Sequence, residues 1–402
     1  MKKYKFLSKI IFLFVLCMVS PVVVSAKDRV CLKSIYKMGT VKGAQDGAIY
    51  KGTLFKFTSN GKGFVYNNIN NLSSYKEFIL DKSDILKPHS NLVCFSSKNP
   101  FSGNKFPYLY CNIYNNYSKS KDKKLGTCCV YKLYTKNEEY KSKLSQVIKV
   151  GFIDEEGHWS ADGDVSPFGN FIVDTDKNTL YVYVMNGDLN VLRFYRFRLP
   201  KIKDGVYNKT LGCNVVTLQL QDVINYFDIP YLKYIQGACY YDGKLVLLNG
   251  LSGNSKLSIV DLNKKKLVTS YVISSLFANN EPEMLTQQEG IFYYSDVKGN
   301  FYRFYLENAE PAKTVIKNAK ARKRKVSLNW KKRKGTGYEV QYKQAGAKAY
   351  KSILIKNYKK NNLTIKKLKK KKKYLIRVRA YKTVNGVTLY SKWSKVKKVT
   401  IK

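Results

Sequence analysis

Acid is what this chain lacks, and it lacks it unevenly. From Pro311 to Lys402 there are 32 Lys or Arg against one carboxylate, Glu339, a net +31; of the chain's total of +45, the first 310 residues share only +14. Such an imbalance speaks to partners and solubility rather than to fold. Histidine is almost absent, with His89 and His158 alone, which leaves little imidazole chemistry. No Cys-x-x-Cys spacing occurs, and that counts against a zinc site. No Gly-x-Ser-x-Gly occurs, and that removes the usual nucleophile elbow. Helical periodicity is scarce: Gln219 to Phe227 is the best candidate for a short helix. Beyond the N-terminus no apolar run approaches the roughly 20 residues a membrane helix needs.

The N-terminus itself reads as a secretory leader over residues 1–26. Lys2, Lys3, Lys5 and Lys9 precede an apolar stretch from Ile10 to Val19, and Val24-Ser25-Ala26 places small residues ahead of Lys27. The expectation is an exported, extracellular or wall-associated protein with no membrane span after cleavage. Export argues against nucleic acid as the partner despite the charge. Seven cysteines remain after cleavage, an odd number that cannot all pair within one chain. Cys94, Cys111, Cys129 and Cys239 lie in apolar runs and read as small buried hydrophobes. A bridge from Cys111 to Cys128 or Cys129 is the alternative.

What is abundant is aromatic: 33 Tyr and 20 Phe, many alternating with polar residues. That is the pattern of half-buried strands, and the expected class is all-β. Composition shifts near Glu307 to Pro311, dividing the mature chain into 27–308 and a basic 309–402. The basic part reads as seven short strands around an inward Trp330, with a hairpin turn at Asn385-Gly386. Trp330, the strand Tyr338-Glu339-Val340-Gln341-Tyr342, Leu368 six residues before Tyr374, and Tyr374-Leu375-Ile376-Arg377-Val378-Arg379-Ala380 resemble a fibronectin type III domain of the kind repeated on bacterial surface proteins. The resemblance implies a β-sandwich in which Tyr374 is the corner tyrosine, bonding back near Leu368.

The larger part repeats weakly. Five times a polar cluster leads into an apolar strand and then further strands, starting near Gln45, His89, Asp164, Gln236 and Glu281. The short intervals match one four-stranded blade of about 40–50 residues, and the long ones require insertions, for which Asn112 to Lys124 and Pro200 to Asn214 are polar enough. The expected architecture is a β-propeller, five blades favoured, with Val30 to Tyr36 pairing beside Phe301 to Leu306. Gln45, Asp46, His89, Asn91, Asp162, Asp164, Gln236, Glu281 and Glu283 would then converge on one face, with Trp159 near the mouth to stack on a sugar. His89-Ser90-Asn91, Phe106-Pro107-Tyr108-Leu109-Tyr110, Gln236-Gly237, Tyr241-Asp242-Gly243-Lys244-Leu245, Glu281-Pro282-Glu283 and Tyr302-Arg303-Phe304 resemble secreted bacterial propellers similar to those of phage receptor-binding and teichoic-acid-associated proteins. Met284 departs from the Gly usual after Glu-Pro-Glu in that pattern.

The reading these features support is a secreted binding protein. The propeller recognises a glycan or envelope polymer, and the basic domain adheres to an anionic cell-wall polymer with no cofactor. Its ligand-binding candidates are His89, Asn91, Asp164, Gln236, Glu281, Glu283 and Trp159. The alternative is a calcium-dependent hydrolase or lyase on an extracellular glycan or ester. There Glu281 or Glu283, Asn91 and Asp164 would supply oxygens to Ca²⁺ and His89 would be the general base.

Overall fold

The structure is a computed structural model, and it describes residues 32–96, 103–113, 126–151, 170–186, 190–306, 310–384 and 387–402. The expected leader, Cys31, Trp159, Asp162, Asp164, His158, the 307–309 boundary and the Asn385-Gly386 turn lie outside those residues.

The all-β expectation holds. The chain opens with β1 (Leu32–Thr40) and then builds a first sheet from β2 (Gly47–Tyr50), β3 (Thr53–Phe57), β4 (Lys62–Tyr66) and β5 (Lys76–Ile79). A single helical turn, α1 (Ser83–Leu86), leads to β6 (Val93–Phe95), β7 (Tyr108–Ile113), β8 (Thr127–Lys136) and β9 (Glu139–Val150), which make the second sheet. A third sheet starts with β10 (Asn170–Asp174), β11 (Thr179–Asn186) and β12 (Val191–Arg198). The chain then returns to the second sheet with β13 (Val206–Asn208) and β14 (Cys213–Leu218), β14 lying parallel to β9, before β15 (Asn225–Pro230) completes the third. The fourth sheet is β16 (Ile235–Tyr241), β17 (Lys244–Asn249), β18 (Lys256–Asp261) and β19 (Lys266–Val272). The fifth is β20 (Pro282–Gln288), β21 (Ile291–Asp296) and β22 (Asn300–Leu306), and β1 joins it as the outer strand.

Pairing of the first strand with the last was expected, and β1 runs antiparallel to β22 with Tyr36 opposite Arg303. Two expectations hold only in part. The stretch Gln219–Phe227 holds only a 3₁₀ turn at Leu220–Asp222, and its second half is strand. Phe227 and Ile229 face the core while Tyr226 and Asp228 face out, so a period of two overrides the short polar run. Asp228 lies opposite Arg193 on β12 and accepts from its Nε at 2.9 Å, a pair only a strand can register. Pro200 to Asn214 is not merely a polar loop, because β13 and the start of β14 extend the second sheet.

The five sheets are separate, and their opening strands approach one another. β2 lies against β6 and β20, and β10 lies against β6 and β16, with β16 beside β20. Gly237 permits the last of these: a Cβ there would sit 2.9 Å from the amide nitrogen of Leu285. The space between sheets is filled by Phe, Tyr, Leu and Val, such as Phe55, Phe106 and Tyr140 between the first and second. None of the six described cysteines is in a disulfide and five are buried, consistent with packing roles. Cys111 lies opposite Cys129 in the β7–β8 register without bridging it.

The C-terminal unit has β23 (Ile316–Arg322), β24 (Lys325–Trp330), β25 (Gly337–Gln344), β26 (Lys351–Ile355), β27 (Asn362–Ile365), β28 (Lys373–Val384), β29 (Val387–Tyr390) and β30 (Lys397–Thr400). β23, β24 and β27 form one sheet; β26, β25, β28 and β29, with β30 on β28, form the other. Trp330 is fully buried between them against Tyr338, Val340 and Val378. Tyr374 Oη accepts from the backbone N–H of Lys369 at 3.1 Å, next to Leu368, so the corner is where the pattern put it.

Candidate functional site

Two places concentrate polar chemistry. The first lies where the opening strands of the sheets meet. Asp46, just ahead of β2, is completely buried. Its Oδ2 accepts from the Val93 N–H of β6 at 2.8 Å and its Oδ1 from the Leu285 N–H of β20 at 3.2 Å. One carboxyl therefore ties three sheets together. Burial pushes its pKa well up, against the opposing pull of those amides and of Lys56. Lys56, on β3, is equally buried, and its Nζ has no hydrogen-bond partner among the described residues. Burial lowers that ammonium to about 8, while Asp46, Glu283 and Asp296 pull it upward. Glu283 is raised to about 8 by burial, with Lys56 opposing and Glu281 and Asp296 adding to the rise.

Of the residues expected to converge, several do meet. Gln236 Nε2 donates to Glu281 Oε1 at 2.7 Å, bridging the fourth and fifth sheets. Asn91 Nδ2 donates to Asn170 Oδ1 at 3.2 Å, bridging the second and third, and Asn112 shares that acceptor. Glu283 is buried, and the Lys56 charge opposes the rise that burial gives its carboxyl. His89 is half-buried, and burial pushes its imidazole below the usual range. Asp164 and Trp159 lie outside the described residues. Sequence reasoning missed Lys56, which reads as the outward polar position of an alternating strand. Only Leu54 on the same face hinted otherwise, and the structure shows every residue of β3 buried.

The second place is the C-terminal sheet. Its one acid is turned inward. Glu339 sits opposite Arg379 in the β25–β28 register, accepts from its Nε at 2.7 Å, and accepts from Ser352 and Gln341 as well. Burial alone would raise its carboxyl, but these donors and the Arg379 charge hold it below the usual range. On the same face Arg377 and Arg379 flank the Trp393 ring at 4.2 and 4.4 Å, with Tyr350 beyond Arg377 at 4.4 Å and Tyr390 beyond Arg379 at 3.7 Å. Cations and rings alternate there, so π faces hold both guanidiniums, with Glu339 adding to the hold on Arg379 and the Gln341 amide oxygen to that on Arg377. Most of the domain's lysines, among them the run Lys369 to Lys373, are exposed.

Among the described residues no cluster of His, Cys, Asp or Glu has the arrangement of a metal site, and no helix is long and apolar enough to cross a membrane.

No curated protein matches the chain. Among solved structures it is similar to one titled "Myokine structure" at 14% identity, covering 23% of this chain and 96% of that one, with a TM-score of 0.19. It is similar to a β-1,2-glucanase from Parabacteroides distasonis at 21% identity, covering 27% of this chain and 17% of the glucanase, with a TM-score of 0.20. It is also similar to an FN3 domain of human collagen XX at 13% identity, covering 22% of this chain and 88% of that domain, with a TM-score of 0.18. Likenesses at these scores carry no argument about the whole chain. Residues 310–397 match the family model described as Fibronectin type III domain, and with the strand order, buried Trp330 and tyrosine corner already in place, the C-terminal unit of this protein is a fibronectin type III domain.

Proposed function

We propose that this is an exported binding protein whose basic fibronectin type III domain adheres to an anionic envelope polymer and whose N-terminal unit is a five-bladed β-propeller that recognises a glycan. The observation that carries the adhesion reading is the fate of Glu339. The domain's single acid is consumed internally by Arg379, so no carboxylate of the last 92 residues is left to neutralise the lysine surface. About 2–8 net charges keep a small domain soluble, and +31 far exceeds that need. The propeller reading is supported by five sheets of four or more strands, by opening strands that lie side by side, and by the pairing of β1 with β22. Export is supported by the leader-like N-terminus.

The calcium hydrolase is the weaker reading. The Lys56 ammonium already acts electrostatically on Glu283 and Asp296, and Glu281 already accepts from Gln236. An ion there would compete with a cation the chain itself supplies.

The test is retention of the full chain on immobilised wall teichoic acid and on a neutral glucan, as salt rises from about 0.05 to about 0.5 M. Retention on the anionic polymer that fades with salt is expected, with none on the glucan. Retention that ignores salt, or no retention at low salt, would remove the adhesion reading.

A further inference from the structure

The two units touch at one cleft, and its walls carry more chemistry than a simple domain contact requires. Leu389 of β29 is buried among Ile291 and Tyr293 of β21, and the Lys382 ammonium donates to the Glu289 backbone carbonyl, so the sandwich is seated on the fifth sheet. Beside that contact lies a cavity of about 280 Å³, bounded by Ser34, Tyr36, Arg303 and Tyr305 on one side and Thr388 and Leu389 on the other. Ligand sites run to about 300–1,000 Å³ and favour domain interfaces, so this one has room for a single small ring.

Its polar groups are set for an anion. The Arg303 guanidinium stacks on Tyr36, 4.7 Å from the ring centroid. Among the described residues it forms no ion pair with a carboxylate. Stacking uses the face of the guanidinium and leaves its N–H edge for a bidentate acceptor. Tyr36 stands 57% exposed, an aromatic face at the cleft edge. Ser34 Oγ donates to Tyr305 Oη at 3.3 Å, which sets two hydroxyls together, and Thr388, whose hydroxyl is paired with that of Thr383 at 2.9 Å, stands on the opposite wall. Between Lys33 and Tyr36 the β1–β22 register slips, with Ser34 at φ 50°, and this bulge re-aims the wall residues.

We propose that this cleft binds one carboxylated sugar unit, its carboxylate on Arg303, its ring against Tyr36, and its hydroxyls on Ser34, Tyr305 and Thr388. The proposal rests on the glycan-recognition reading only in taking the ligand to be a glycan. It places recognition at the domain junction and leaves bulk adhesion to the lysines.

Saturation-transfer NMR on the full chain with methyl glucuronide and methyl glucoside tests it. Transfer to the ring protons of the glucuronide is expected, with little to the glucoside. Arg303→Gln and Tyr36→Ala are each expected to weaken glucuronide binding roughly tenfold or more, and Arg303→Lys, which keeps charge without the fork, to weaken it less. Thermal midpoints of all three are checked so that misfolding is not read as lost binding. Replacement of Lys369 to Lys373 by Gln is expected to leave glucuronide binding intact while reducing retention on the polymer. Equal transfer to both sugars, no transfer to either, or an unaltered Arg303→Gln protein would overturn the cleft site. Loss of polymer retention alone would overturn only the adhesion reading.

Discussion

The two units of this protein treat charge in opposite ways. The N-terminal unit buries it: Asp46, Lys56, Asp296 and nearly all of Glu283 are inside. The fibronectin type III domain keeps its interior apolar, internalises one Glu–Arg pair, and spreads its lysines over the surface. In the first unit a charge is a structural tie between sheets that share few backbone hydrogen bonds. In the second it is free to meet a partner. Charge in the first should therefore govern stability, and charge in the second should govern binding.

The largest effect should come from Asp46. Asp46→Ala leaves the Val93 and Leu285 amides buried without an acceptor and removes one of the three acids that support the Lys56 charge, costing about 3–5 kcal/mol by urea unfolding. Asp46→Asn keeps an acceptor oxygen and should recover part of that loss. If Asp46→Ala unfolds like the parent, the charges of the first unit are incidental.

The pH response should also separate the units. Glu283 is raised from 4.5 to about 8 in the folded chain, chiefly by burial. Between those values the folded state holds a proton the unfolded state has lost, so this contribution is full below about 4.5 and fades as pH rises through 8. Glu283→Gln should flatten that decline, read as the urea midpoint against pH. Glu339 is lowered instead, so its contribution is present above the ordinary carboxylate range and lost on acidification. Two slopes of the same sign would contradict the contrast.

Glu339→Gln should cost the sandwich about 2 kcal/mol, because Arg379 loses a charged hydrogen bond in a half-buried site. Its retention on anionic polymer should not fall. Replacing Lys369 to Lys373 with Gln should do the reverse: roughly tenfold weaker retention, about 1.4 kcal/mol, with the unfolding midpoint nearly unmoved. The smallest change is Tyr374→Phe, which removes the bond from the Lys369 N–H and should cost about 1 kcal/mol in chemical denaturation. A larger loss would mean that the corner organises more of the sandwich than one hydrogen bond.

Much of this was legible because it is local. The β-branched apolar run Phe171 to Val173, or the alternation Leu257-Ser258-Ile259, marks a strand whatever lies around it. The spacing of Leu368, Tyr374 and the Arg377-Val378-Arg379 run identifies the sandwich. The repeat pattern, in which an N-terminal strand is lent to the last sheet, even anticipated the pairing of β1 with β22. The stretch ending in Phe227 was misread because its polar beginning masked a short alternation that Arg193, on another strand, secures. The candidate site was only half legible. Gln236 with Glu281 and Asn91 with Asn170 meet as polar clusters at strand entries should. Lys56 was hidden because burial of a lysine depends on what covers its face.

The sequence alone determined the strands, the division of charge between two units, and the domain at the C-terminus, since each depends on neighbours a few residues away or on a simple count. Only the tertiary structure decided that Asp46 reaches amides 47 and 239 positions along the chain, that Glu339 spends its charge inward, and that Tyr36 and Arg303 share a cleft with Thr388. Hydrogen bonds and burial depend on distance in space, and the residues that meet there are separated by lengths of chain over which local patterns carry no information.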